Sequence, residues 1–357
     1  MDGEALPVAV IGVGGFGAHT LAAARQAPSV RLVGLADRDA AVAAKAGREL
    51  GVPHFSDNRA LLAQTKPAAV FLAVPPAASA EIVMACAERG IHVWKELPLA
   101  RNLGEGVALV RRMEQAGLKL AIGTQRRFAA GYRRAKELRG RLGHVFLARS
   151  HYLFNWGPQL AWRGDKASAG GGALMELGYH PIDLLVWLLG LPDEVYGVST
   201  MAAADAVRQA HARPIYDTDD TAAAILRWAN GLTATVATTR CAGPVSEDIW
   251  LYGQGGSLMA NGESCLLRDP DGNVLDSLSD QPAPLAVFRR QVEAFATAIR
   301  SNKPAYECSA RENLLNLAVI EAVYLSSRTS QPESPARLLK SAGLNAAECL
   351  LTTGNRQ

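Results

Sequence analysis

Apolar residues in the first third of the chain fall in short continuous runs separated by longer helical patterns. The runs 7–11, 30–36, 68–74, 91–95 and 118–123 read as strands. Between them, 18–26, 41–50, 78–89 and 103–115 read as helices, the last two closed by Gly90 and Gly117. Continuous apolar strands alternating with helices specify a parallel sheet covered on both faces. This α/β domain is expected over residues 1–123. After Thr124 the runs alternate polar and apolar positions: 145–151, 194–200, 221–228, 232–239 and 248–252. That texture predicts an open, mostly antiparallel sheet with helices on one side, an α+β domain over residues 124–335. Helices are expected at 132–140, 285–300 and 310–327. The tail, 336–357, has little periodicity and is expected to attach loosely.

Composition narrows the class. A chain of 357 residues has room for two domains. With 49% hydrophobic and 20% charged residues it is globular. A net charge of +3 lacks the basic excess of a nucleic-acid binder. The longest apolar stretches, 68–78 and 182–191, fall short of the roughly 20 residues that span a bilayer. The start, MDGEALPVAV, does not read as a secretory signal. Cys86, Cys241, Cys265, Cys308 and Cys349 are scattered and form no C-x-x-C pair, so neither a metal site nor a disulfide framework is expected. The reading is a reduced, cytoplasmic protein.

The first strand ends in Gly12-Val-Gly14-Gly15-Phe16-Gly17, a helix follows, and Asp37 closes the second strand twenty residues past Gly17. Strand, glycine turn, helix and acidic strand end together form the dinucleotide-binding fingerprint. Gly12 permits the turn, Gly14 lets the backbone approach a pyrophosphate, and Gly17 brings helix and strand together. Asp37 would accept hydrogen bonds from ribose hydroxyls and repel a 2′-phosphate, which favours NAD over NADP. Arg38, next to it, suits such a phosphate and keeps NADP open.

A second stretch stands out: Gly170-Gly-Gly-Ala-Leu-Met-Glu176-Leu-Gly-Tyr-His180-Pro-Ile-Asp183. On a helix, Glu176, His180 and Asp183 fall within about 60° of one another. Three titratable groups on an apolar stripe are costly unless they serve chemistry. Pro181 must start or kink the helix, leaving Glu176 on the preceding turn.

These residues, with His92-Val-Trp-Lys95-Glu96-Leu97-Pro98, Arg126-Arg127-Phe128, Trp162-Arg163 and the Asn230-Gly231 hairpin, resemble the glucose–fructose oxidoreductase and inositol dehydrogenase family over about residues 7–335. The resemblance implies an N-terminal Rossmann domain and a second domain whose sheet walls a sugar- or cyclitol-sized cleft and mediates homo-oligomerisation. It gives His180 the place of the family's catalytic histidine and Asp183 that of a substrate-contacting aspartate. Glu176 stands where an aspartate is usual. The cofactor set becomes Gly12, Gly14, Gly15, Phe16, Gly17, Asp37 and Arg38, with Ala73, Val74, Pro75 and Glu96. Three positions depart from the family pattern. Leu97 occupies the usual lysine position, and Pro76 and Ser79 replace the usual Asn and His.

Oxidation of an alcohol needs a base for the hydroxyl proton, and neutral His180 suits the task with Glu176 or Asp183 orienting it. Lys95 and Leu97 share a strand face if the chain stays extended, about 6.6 Å apart, so Lys95 is expected to reach the substrate in place of the missing lysine or else to extend into water. Three readings stay open. The first is a nicotinamide-dependent dehydrogenase of a sugar or polyol. The second is a glycosidase or lyase that retains NAD and oxidises its substrate transiently, and the third is a cofactor-binding protein with weakened catalysis.

Overall fold

The computed structural model describes residues 4–157, 160–202, 216–283, 285–302 and 305–350. The first sheet holds six strands: β1 (Leu6–Ile11), β2 (Val30–Ala36), β3 (His54–Phe55), β4 (Ala69–Leu72), β5 (His92–Lys95) and β6 (Leu120–Ile122). Every pairing is parallel, in the order β3-β2-β1-β4-β5-β6. The strand order reverses between β1 and β4, and such a switch point is where doubly wound sheets bind ligands. Helices α1 (Gly17–Gln26), α2 (Ala40–Leu50), α3 (Asn58–Thr65), α4 (Pro76–Glu88) and α5 (Leu103–Gln115) connect the strands. Sequence pattern locates five of the six strands. The two-residue β3 and the helix after it are too short and polar to show a period.

Two glycines shape the switch point. Gly12 has φ +81°, and a Cβ there would lie 2.2 Å from the Ala73 carbonyl oxygen. A Cβ on Gly17 would lie 2.0 Å from the Gly12 carbonyl oxygen. Only glycine lets β1, the turn and α1 pack this closely against β4.

The second sheet has eight strands: β7 (Val145–Asn155), β8 (Glu194–Thr200), β9 (Thr221–Arg227), β10 (Thr233–Thr239), β11 (Cys241–Gly253), β12 (Gly256–Ala260), β13 (Ser264–Arg268) and β14 (Val274–Ser279). Among the described residues only β7 and β10 pair in parallel in this sheet. Three of these strands, β12 to β14, are absent from the pattern-based expectation. They add a meander to the β11 edge. Helix α6 (Ala130–Leu138) lies against β13.

Between the sheets, the turns α7 (Lys166–Ala169) and α8 (Ala173–Glu176) precede α9 (Tyr179–Leu189). Pro181 sits in the first turn of α9, where its missing N–H costs nothing, and Glu176 is left on its own turn. Each of Gly170, Gly171 and Gly172 abuts another segment. A Cβ on Gly172 would meet the Asp219 carbonyl oxygen at 1.8 Å, and one on Gly171 the Tyr324 hydroxyl at 2.3 Å. Asp219 then accepts from the Gly172 and Leu174 amides, 2.8 Å each, fixing the turn that carries Glu176.

The chain then returns to the first sheet. Helix α10 (Ala286–Ser301) buries Val292, Phe295 and Ala296 against Val8, Val10, Phe71 and Trp94. This helix, placed with the second domain by sequence, is a layer of the nucleotide-binding sheet. Helix α11 (Ala310–Thr329) is buried along most of its length and touches α5, α9 and β8. The tail also differs from expectation: Leu339, Leu344 and Cys349 are buried in the main core, so the chain is packed to at least residue 349. No helix of the described residues is long and apolar enough to cross a membrane.

Candidate active site

A cleft of about 850 Å³ opens at the switch point, between the glycine turn and the wall formed by β7 and the α8–α9 turn. Gly14, Gly15 and Phe16 line one end with Asp37 and Arg38, and Ala73, Val74 and Pro75 form its floor. Gly14 differs from Gly12 and Gly17. A Cβ there would come no closer than 3.8 Å to any protein atom, so the space beside this backbone is cleft. Helix α1 starts with no capping side chain and no acidic residue in its first turn, leaving its positive end for an anion. These features fit a dinucleotide. Asp37 accepts from the Val13 amide at 2.9 Å and the Gly14 amide at 3.3 Å, joining the end of β2 to the turn.

The opposite end is built by the second domain. His180 is buried yet lines the cleft, with its ring edge-to-face on Tyr152, centroids 5.6 Å apart. Burial, reinforced by the Arg126 charge, holds its pKa well below the usual histidine range. The imidazole is therefore neutral at pH 7, as a proton acceptor must be. Its Nδ1 is buried and meets no protein partner.

Glu176 lines the same wall and accepts from Arg163 Nε at 2.6 Å. Burial pushes its pKa up, against the opposing charges of Arg163 and Arg240. Arg163 packs on two indoles, its guanidinium carbon 4.1 Å from the Trp156 ring centre and 4.4 Å from that of Trp162. Arg126, also in the cleft, is held by Glu247 through three contacts of 2.8–3.0 Å. Glu96 faces the cleft from the end of β5, accepts from Thr20 at 3.3 Å, and burial pushes its pKa up to about 8.

Two expected residues lie elsewhere. Lys95 is 2% exposed and does not line the cleft. Its ammonium donates to the Pro98 carbonyl at 2.5 Å and the Leu99 carbonyl at 2.9 Å. Strand β5 ends at Lys95, so the extended geometry that would place it beside Leu97 does not continue. Leu97 itself lines the cleft. Asp183 is 1% exposed and receives Arg127 through Nε at 2.9 Å and Nη2 at 2.6 Å, with Asn316 at 2.6 Å. It neither lines the cleft nor bonds His180.

Tyr152, Trp156, Arg126 and Arg163 join the cleft without having been singled out for it. Arg126 and Arg163 stand in stretches that carry the family likeness, which was the available signal. Nothing local marks Tyr152 or Trp156.

Residues 6–124 match the model described as "Oxidoreductase family, NAD-binding Rossmann fold", and residues 132–259 the GFO/IDH/MocA C-terminal domain. A levoglucosan dehydrogenase of Pseudarthrobacter phenanthrenivorans is 30% identical over 72% of this chain and 74% of its own. D-xylose 1-dehydrogenase (NADP(+)) 2 of Haloferax volcanii is 28% identical, covering 90% and 97%. Among solved structures, an oxidoreductase domain protein from Kribbella flavida superposes with a TM-score of 0.82 at 26% identity, covering 93% of this chain and 99% of that one. The chain belongs to the GFO/IDH/MocA oxidoreductase family. It is a nicotinamide-dependent oxidoreductase.

Proposed function

We propose that this protein oxidises a secondary alcohol of a sugar or polyol, or reduces the matching ketone, with His180 as the acid–base group. The observation that carries the reading is the neutral, buried imidazole on the cleft wall facing the glycine turn. The bound nicotinamide supplies or accepts the hydride. His180 takes the hydroxyl proton, worth about 10²–10⁴ in rate for a positioned base. Glu176, tethered by Arg163, is placed to fix the substrate by its hydroxyls. Asp37 and the open flank of Gly14 support NAD, and Asp37 sets the preference over NADP.

Leu97 in the cleft favours a second reading, an NAD-retaining lyase or glycosidase. Among the described residues no lysine lines the cleft, and in this reading the hydride taken up by NAD returns to the same substrate. Incubating the protein with NAD and a panel of sugars and polyols separates the two. Accumulating reduced cofactor supports the dehydrogenase, product without accumulation the lyase, and cofactor binding with neither rejects both.

Two further readings accompany this one. The outward face of the second sheet exposes Leu147, Tyr196, Val198 and Ile225, which supports homo-oligomerisation through that sheet, tested by light scattering. The five cysteines are unpaired, which supports a reduced, cytoplasmic location, tested by fractionation.

A further inference from the structure

Guanidinium groups wall the substrate end of the cleft, each paired with one carboxylate. Arg126 and Arg163 both line it, and among the described residues Glu176 is the only carboxylate on the second-domain wall of the cleft. Other nearby carboxylates are committed behind the wall, Glu247 to Arg126 and Asp183 to Arg127. Arg240 adds a third guanidinium whose charge reaches Glu176. On the cofactor side Glu96, pushed up to about 8, is mostly protonated at pH 7. His180 is neutral there as well.

Arg163 is also preorganised. Its Nε is used by Glu176, and the two tryptophans fix its plane. Among the described residues no hydrogen bond or ion pair engages its Nη1 or Nη2. Two coplanar donors on a rigid fork match the two oxygens of a carboxylate. A guanidinium held this way loses little entropy when it binds. Trp156, Trp162 and Tyr152 add apolar surface for the carbon skeleton.

We propose that the substrate is an acidic sugar, an aldonate or uronate, whose carboxylate is received by the free edge of Arg163 with Arg126 beside it. This rests on the oxidoreductase reading of the same cleft and names the substrate class within it.

The test is calorimetric binding to the NAD-loaded protein, which does not depend on turnover. D-gluconate and D-glucuronate are compared with D-glucitol and D-glucose. The acids are expected to bind at least about tenfold more tightly, one such charge-assisted pair being worth that much, and to weaken as salt is raised. Arg163→Gln should abolish the difference. Because that change also releases Glu176, a second variant has the opposite sign: Glu176→Gln removes the competing carboxylate and should raise acid affinity several-fold relative to that of the neutral sugars, which structural damage cannot do. Equal affinity for acids and neutral sugars, or an acid-to-neutral affinity ratio that falls in Glu176→Gln, overturns the proposal, as does a sugar phosphate that outcompetes both acids. Tight acid binding with no oxidation of any panel member would sustain the acid subsite and reject the dehydrogenase reading instead.

Discussion

Arg127 and Asp183 form a fully buried, two-point ion pair, 2.9 and 2.6 Å, that ties the short turn after β6 to helix α9. Arg127 reaches Glu312 on α11 as well, at 2.8 Å, and Asn316 closes on Asp183. One guanidinium thus joins three segments around the helix that bears His180. Its charge is held on by two carboxylates even though burial opposes it.

Removing it should be severe. Arg127→Met strands Asp183 and Glu312 in the core, and breaking a buried pair costs about 3–5 kcal/mol. Urea denaturation should show a loss of that size, or no folded protein. Asp183→Asn keeps an acceptor for Arg127 and leaves Glu312 in place, so it should cost clearly less. Were Asp183→Asn instead to abolish turnover at unchanged stability, Asp183 would be contacting substrate after all.

His180→Asn should lower turnover about 10²–10⁴-fold and leave NAD affinity nearly unchanged, because the imidazole stands on the wall away from the glycine turn. Its depressed pKa also fixes the pH response. Activity is lost only when His180 becomes protonated, so the acid limb of kcat/KM belongs below the ordinary histidine value of 6.5. A limb above that pH in the wild type would assign the titration to another group.

Asp37→Ser should shift preference toward NADP by relieving repulsion of a 2′-phosphate, with Arg38 exposed next to it to receive the phosphate. The wild type should bind NAD more tightly in direct titration. The variant also gives up the acceptor for the Val13 and Gly14 amides, so NAD binding should weaken in parallel.

Much of this was legible in the sequence, for physical reasons that also mark its limits. The strand–glycine–helix–Asp37 unit is local, so its residues reach the cleft together. Pro181 announces the start of α9 because a ring nitrogen cannot donate. Pairings across the fold leave no such trace. Nothing near Asp183 signals that Arg127, 56 residues earlier, will claim it. Helix α10 reads as amphipathic, but its sequence does not say that Phe295 will rest edge-on against Phe71 at 6.1 Å in the other domain's sheet. Strand parity failed for Lys95 because β5 stops at that residue.

Lys95 and Leu97 give the last prediction. The ammonium is sealed among the carbonyls of Pro98 and Leu99, and burial lowers its pKa from 10.5 to about 7 despite the opposing charges of Glu105 and Glu96. Below pH 7 the lysine is charged in both folded and unfolded chains, and the burial penalty is fully present. Between pH 7 and 10.5 the unfolded chain holds more protons, so this group makes stability rise with pH across that window. Lys95→Met should remove that rise, seen by comparing urea midpoints of the two proteins at pH 7 and pH 10. Its effect on turnover should stay below about tenfold, since the ammonium does not enter the cleft, and a loss of 10² would return Lys95 to the acid–base role. Leu97→Lys is the complementary change. Leu97 faces the cleft, so an amine there has access to the substrate hydroxyl and should raise net dehydrogenase turnover. If His180 already meets the whole demand for proton transfer, the added lysine will leave kcat unchanged, and the apolar residue at this position is then part of a complete site.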